Sequence, residues 1–281
     1  MCSLLPLRAA HALGAALARL LIIFPNQPKH ICQTNVRLCF PHLSAAEQRQ
    51  LVKKILIETG KTATEIGALW LWDKQRVLRL VKKISGEEAV EAAKNNNRGI
   101  ILAAPHHGAW EMCGLYISSH YPLTALYRPP RMAGLEALIR NARQRAGGTY
   151  VPTNAQGVKA LYQTLRNNEF VGILPDQDPR NEGGVFAPFF GVEANTMSLL
   201  PRLARKSQAA VFFIFAERLA KGQGYHIRII PADDAIASAD MREAASALNS
   251  GVEQCVAHCP EQYQWVYKRF RSRPQSEPGL Y

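Results

Sequence analysis

GIILAAPHHGAWEMCGLYISSHY, residues 99–121, passes from an unbroken apolar run to a helical pattern across a short break at Pro105–Gly108. An uninterrupted apolar run between Gly99 and Pro105 is the pattern of a strand buried on both faces, because an exposed face would demand alternating polar residues. The helical pattern that follows so closely makes a strand-then-helix unit, the element from which parallel sheets are assembled. Reading outward, LTALYRP, FVGILPDQ, AAVFFIFAER and YHIRIIPA have the composition of further strands. GLEALIRNARQRAGG, GVKALYQTLRNNE and NTMSLLPRLARKSQ, starting at Asn195, are helical in pattern, and Met241–Phe270 reads as helix broken at Pro260. Upstream, Ser44 with Glu47 and Ser85 with Glu88 have the spacing of capping boxes. The expected fold class is therefore α/β: a single domain with a mainly parallel, mixed central sheet flanked by helices, preceded by an N-terminal helical segment. The expected divisions are 1–25, a membrane-associating helix; 26–98, a helical segment packing on the core; and 99–281, the α/β core with C-terminal helices.

A chain of 281 residues with 47% hydrophobic content buries a sizeable core without disulfides or metals. Its six cysteines contain no CxxC pair and no framework spacing, which is the usage of reduced thiols facing a cytoplasm. The 34 Lys and Arg against 22 Asp and Glu give a formal charge of +12, favouring partners that carry phosphate or carboxylate. Nucleic acid, anionic membrane and an acidic carrier protein all satisfy that charge.

The amino-terminal run LLPLRAAHALGAALARLLIIFPN is apolar, yet Arg8, His11 and Arg19 interrupt it before it reaches the roughly 20 residues a spanning helix needs. On a helical wheel these three occupy a sector of about 80°, and Leu13, Leu17, Leu20, Leu21 and Phe24 lie opposite. That division describes a helix lying in the plane of a membrane surface. A terminal helix burying its apolar face on the domain is the alternative. The charges break the apolar region and no small-residue cleavage site follows, which argues against a secretory signal.

In parallel α/β sheets the loops at the carboxyl ends of the strands build the site, and His106–Glu111, Arg128 and Asp176–Asp178 all fall there. His107 and Glu111 are four apart and share a helix face; His106 and Glu111 are five apart and meet only if the chain bends between them, for which Pro105 and Gly108 provide. Either pair suits proton abstraction from a hydroxyl, since a carboxylate on one ring nitrogen fixes the tautomer and stabilises the imidazolium. No Ser or Cys nucleophile stands beside the pair, so direct transfer between substrates is favoured over a covalent intermediate. A pair of structural histidines is the competing reading. A metal held by His106, His107 and Glu111 is weaker because no further His/Cys cluster is near in sequence, while His258 beside Cys255 and Cys259 stays open as a ligand set.

PHHGAWE resembles the H-x4-D/E motif of the glycerolipid acyltransferase superfamily, in the form found in the branch of late acyltransferases of lipid A biosynthesis. NVRLCFPHLS, LYRPP, GILPDQDP, APFFG and PEQYQWVYKRFRSRP match that branch in order, from about residue 35 to 274. The resemblance implies that His106 is the general base, with Glu111 orienting its ring. It implies an acyl donor on acyl carrier protein, an anionic lipid A precursor as acceptor, no cofactor and no metal, no nucleic acid, and a place on the cytoplasmic face of the inner membrane. Arg128 falls in the superfamily's phosphate-contacting block, where a guanidinium grips phosphate through paired hydrogen bonds. Asp176 and Gln177 are expected to shape the substrate pocket or anchor a loop, and Asp178 to have a structural use. Phe189, Phe190 and Gly191 are candidates for an acyl groove, and Arg202, Arg205 and Lys206 for carrier or phosphate docking. Trp265 and Tyr267, among Lys268, Arg269, Arg271 and Arg273, suit either a headgroup layer or the core. Other membrane lipids as acceptor, and a non-catalytic basic membrane-binding protein, are the alternative functions.

Overall fold

The computed structural model describes residues 2–127, 134, 136–180, 183–275 and 277–281. The amino-terminal part is helical: α1 (Leu7–Ile23), α2 (Gln27–Cys39), α3 (Ala45–Leu71) and α4 (Lys74–Leu78). The core follows as β1 (Val81–Ser85), α5 (Glu87–Asn95), β2 (Ile100–Ala103), α6 (Trp110–His120), β3 (Leu123–Tyr127), α7 (Glu136–Gln144), β4 (Thr149–Pro152), α8 (Ala155–Arg166) and β5 (Phe170–Ile173). The chain continues through β6 (Gly184–Phe189), β7 (Val192–Met197), α9 (Leu199–Ser207), β8 (Ala210–Arg218), β9 (Tyr225–Pro231) and α10 (Met241–His258).

Seven strands form one sheet in the order β1-β9-β8-β2-β5-β3-β4, and every neighbouring pair is parallel except β8 with β9. The expected α/β class, with a mainly parallel mixed sheet, is what the chain adopts. β2 lies at the centre, and its alternate residues feed two cores. Ile101 and Ala103 join Val171, Phe213 and Phe215 under α2, α3, α8, α9 and α10, whereas Ile100 and Leu102 join Phe170, Phe212 and Ile214 under α5 and α6. Helices on both faces explain the unbroken apolar run, and each large apolar side chain so buried contributes roughly 1.5–3 kcal/mol.

The Ser44–Glu47 capping box forms, with Ser44 N–H donating to Glu47 Oε2 at 2.7 Å and Glu47 N–H to Ser44 Oγ at 3.3 Å. The second expected box does not. Ser85 ends β1 and bonds His226 Nε2 at 2.8 Å, and α5 starts after Gly86, whose φ of +84° lets the backbone pass close to Ile229. Residues 195–197 belong to β7, not to the helix expected from Asn195. They pair with β6 across a two-residue turn in which Phe190 and Gly191 both have positive φ, as a tight hairpin requires. The expected helix past Pro260 is also absent: after one 3-10 turn, Pro260–Gln262, the chain runs as an irregular strap with Trp265 and Phe270 fully buried. Asn35 holds that strap by donating to the carbonyls of Trp265 at 2.7 Å and Tyr267 at 2.8 Å.

α1 packs on α3 through small residues. A Cβ on Gly14 would lie 2.3 Å from the Gly60 carbonyl oxygen, and the converse holds for Gly60, so the two backbones touch. Ala10, Ala15 and Ala18 complete the buried side, while Leu17, Leu20 and Leu21 remain 49, 57 and 62% exposed. The apolar stripe therefore faces outward. His11 departs from the expected polar side: it is buried, with Nε2 at 2.9 Å from Glu65 Oε2.

Glu65 also accepts from Arg218 Nε and from the Tyr225 hydroxyl, both at 2.9 Å, which ties α1, α3, β8 and β9 together. Burial alone would raise the pKa of Glu65, but the Arg218 and His11 contacts outweigh it and hold the carboxyl at about 2, against an ordinary 4.5. A depressed folded-state pKa gives stability that is complete above about pH 5 and lost as pH falls towards 2. About 3 kcal/mol is expected to disappear across that window. Urea midpoints measured against pH check this, and the step should flatten in Glu65→Gln.

Candidate active site

β2 ends in a tight turn in which His107 N–H donates to the Pro105 carbonyl at 2.7 Å. Gly108 follows at φ +58°, and a Cβ there would stand 2.1 Å from the Ala216 carbonyl oxygen. The same segment is clamped to the C-terminal strap by Gly108 N–H to Gln262 O and Gln264 N–H to His106 O, each 3.0 Å. His106 is thereby placed in a rigid loop at the carboxyl end of the central strand.

Asp176, just beyond the end of β5, grips His106 twice: Oδ1 lies 2.8 Å from Nδ1 and Oδ2 accepts the His106 backbone N–H at 2.9 Å. Burial pushes the Asp176 carboxyl up, but its contacts with His106 prevail and hold it below its ordinary value. An ionised Asp176 accepts from Nδ1–H, which leaves the Nε2 lone pair as the basic site. The His106 side chain is 15% exposed, so the ring is reachable. The Gln177 amide nitrogen lies 3.3 Å from Nε2 and also donates to Gln264 Oε1 at 3.1 Å. Trp110 flanks the ring, with centroids 5.3 Å apart.

The expected pairing of His106 with Glu111 is corrected by this geometry. Glu111, in the first turn of α6, accepts from Arg143 Nε at 3.0 Å and Trp70 Nε1 at 3.2 Å, with a second Arg143 bond to its other oxygen. The turn at Gly108 bends the chain, but the five-residue offset still sends the two side chains to different neighbours, Glu111 towards α3 and α7. Arg143 is held in its charged form: burial opposes it, and Glu111 more than compensates. Asp176, expected to shape the pocket, supplies the carboxylate at the imidazole instead.

His107 is enclosed, its ring tilted against Phe215 with centroids 4.7 Å apart, and its Nε2 is 3.2 Å from Cys259 Sγ. Burial, which Asp176 only partly offsets, lowers its pKa to about 3, so it is a neutral structural ring. Among the described residues no group of three His, Cys, Asp or Glu side chains is arranged to hold a metal ion.

Asp178 anchors its loop by accepting from Arg180 N–H, Asn195 Nδ2 and Ser272 N–H at 2.7–2.8 Å. Arg128 and the two prolines after it lie outside the described residues. Phe189 and Phe190 pack on Trp265 and belong to the core rather than to an open groove. Arg205 and Lys206 end α9 just before β8 begins, at the end of the sheet away from His106. A cavity of about 550 Å³ lined by Asn96, Arg98, Ala210 and Pro231 is at that far end too, remote from the imidazole.

Arg143, Trp70, Tyr263 and Gln264 take part in the site, yet none carried a spacing signal. Tyr263 is buried beside Asp176, and burial together with that carboxylate raises its hydroxyl pKa well above the ordinary value.

Residues 1–272 match the family model described as bacterial lipid A biosynthesis acyltransferase. The chain is similar to the lipid A biosynthesis lauroyltransferase of Escherichia coli (strain K12), 30% identical over 278 residues, spanning 99% of this chain and 90% of that protein. It is likewise 30% identical to the lipid A biosynthesis palmitoleoyltransferase of the same organism, over 96% of this chain and 87% of the relative. A lipid A biosynthesis acyltransferase of Haemophilus influenzae is 31% identical over 87% of this chain and 76% of its own length.

Proposed function

Because this chain belongs to the bacterial lipid A biosynthesis acyltransferase family, we propose that it moves a fatty acyl chain from acyl carrier protein to a hydroxyl of a lipid A precursor. In this reading His106 is the general base and Asp176 its orienting carboxylate. The observation that carries it is the bond from Nδ1 to a buried, ionised Asp176, which leaves Nε2 as the reachable lone pair.

The acceptor hydroxyl displaces the Gln177 amide from Nε2 and gives its proton to His106 as its oxygen attacks the thioester carbonyl. Asp176 stabilises the imidazolium that forms. The tetrahedral intermediate then collapses with loss of the carbon–sulfur bond, and the carrier thiolate leaves with the proton from His106. The transfer is direct, consistent with Cys113, Cys255 and Cys259 being buried thiols whose pKa burial raises. Glu111 acts at a distance, fixing α6 to Trp70 and Arg143 so that the loop preceding it keeps its shape.

The protein works from the cytoplasmic face of the inner membrane. Support comes from the outward leucine stripe of α1. Among the described residues no single helix is long and apolar enough to cross a membrane; Leu7–Ile23 and Gln27–Cys39 reach that length and composition only together, and they meet at 86°.

Mass spectrometry of lipid A from cells with and without the gene tests the assignment. Loss of one secondary acyl chain on deletion, restored by the wild-type gene and not by His106→Ala, is the expected result. An unchanged lipid A profile overturns it.

A further inference from the structure

The side of α1 opposite its leucine stripe carries a pocket of about 290 Å³ whose polar walls are cationic: Arg8 and Arg19 from α1, Lys61 from α3 and Lys221 from the β8–β9 turn, with buried His11 also lining it. Among the described residues Arg8, Arg19 and Lys221 make no ion pair; Lys61 is paired with Glu58, and the Glu65 carboxylate behind His11 is already shared with Arg218. Arg8, Arg19 and Lys221, three cations facing one space, repel each other, and an anion among them relieves that repulsion.

The turn holding Lys221 is built in a sparsely populated conformation. Lys221 has φ +56° and ψ 24°, in the left-handed region that side-chain-bearing residues avoid. Gly222 follows at φ +68°, and a Cβ there would lie 2.6 Å from Arg8 Cα, so only glycine lets the turn close on α1. Such a backbone persists where its surroundings impose it, and its effect here is to set Lys221 beside Arg8.

Leu13, Leu17, Leu20, Leu21 and Phe24, all exposed, lie on the side of α1 turned away from this pocket. An in-plane helix with leucines on the side entering the acyl chains and cations on the opposite side matches the depth profile of a bilayer, where phosphates lie above the hydrocarbon. We propose that this pocket binds the phosphate of an anionic membrane phospholipid, phosphatidylglycerol being the representative, and so seats α1 on anionic bilayers. The inference rests on the membrane-surface part of the reading above and is independent of the acyl-transfer chemistry.

The test is co-sedimentation of the full chain with vesicles of phosphatidylcholine alone or mixed with phosphatidylglycerol, with thermal melting as the check on folding. Arg8→Gln/Arg19→Gln/Lys221→Gln should lose about 100-fold in affinity for the mixed vesicles, roughly fivefold per cation, and leave binding to phosphatidylcholine unchanged. Lys94→Gln/Lys159→Gln/Arg166→Gln, which removes the same charge from α5 and α8, should lose at most a few-fold. Leu13→Ser/Leu20→Ser should weaken binding to both vesicle types. Equal loss in the two basic variants, or no loss in the first, overturns the pocket. If the leucine variant alone loses binding, the membrane reading stands without the pocket; if it loses none, the apolar docking of α1 fails instead. Preference for a short RNA over vesicles, with the same dependence on Arg8, Arg19 and Lys221, also overturns it.

Discussion

His106→Ala is expected to slow acyl transfer by about 10² to 10⁴, the range a positioned general base supplies. The loss should fall on kcat with KM little altered, because the proton is taken only as the transition state forms. The fold should survive the change. Asp176 keeps the backbone N–H of residue 106, at 2.9 Å, after the ring is removed. Steady-state rates at saturating donor, with a melting curve for each protein, check both halves. A loss of only a few-fold in a folded variant removes His106 from the chemistry.

Asp176→Asn should cost about as much, for a reason specific to this loop. The backbone N–H of His106 needs an acceptor and takes the one remaining oxygen, which turns the new amide nitrogen towards Nδ1. That nitrogen donates, so Nδ1 must accept and the ring proton moves to Nε2, where the base is required. The variant is then folded but holds the wrong tautomer, a defect worth up to about 10⁴ in kcat in a comparable His–carboxylate arrangement. Glu111→Gln is the informative contrast. It weakens the bonds to Arg143 while keeping an acceptor for Trp70, so its effect should appear in thermal stability, with kcat reduced by well under a hundredfold. The reverse ranking, with Glu111→Gln inactive and Asp176→Asn nearly normal, would restore the pairing suggested by the five-residue spacing and remove Asp176 from its assigned role.

The elements that sequence revealed are those whose signal is local. GIILAAP is apolar throughout because both faces of β2 are covered, and Ser44 with Glu47 carries its own hydrogen bonds. The failures arose where a distant contact decided the outcome. Residues 263–270 have helical composition, yet Asn35 and the His106 loop hold them as a strap. Asn195 is polar in a helix-like context and is drawn into β7 by pairing with Phe186.

The site divides in the same way. The loops carrying His106 and Asp176 were legible as the carboxyl ends of two strands of a mainly parallel sheet. Which carboxylate reaches the imidazole was not legible, because β2 and β5 are adjacent in space with 70 residues between His106 and Asp176. Arg143 was invisible for the same reason: nothing in EALIRNARQ marks one arginine as the partner of Glu111. The outward face of α1 was readable from its wheel, but the burial of His11 depended on Glu65, more than fifty residues away.

Incubating the purified protein with acyl carrier protein charged with a fatty acid and a phosphorylated lipid A precursor, followed by mass spectrometry, tests the central claim most directly. The account predicts a product heavier by one acyl chain, released by mild alkali as an ester is, and formed at least about a hundredfold more slowly by His106→Ala. An unaltered precursor with the wild-type protein, or the same product at the same rate from the His106 variant, would contradict it.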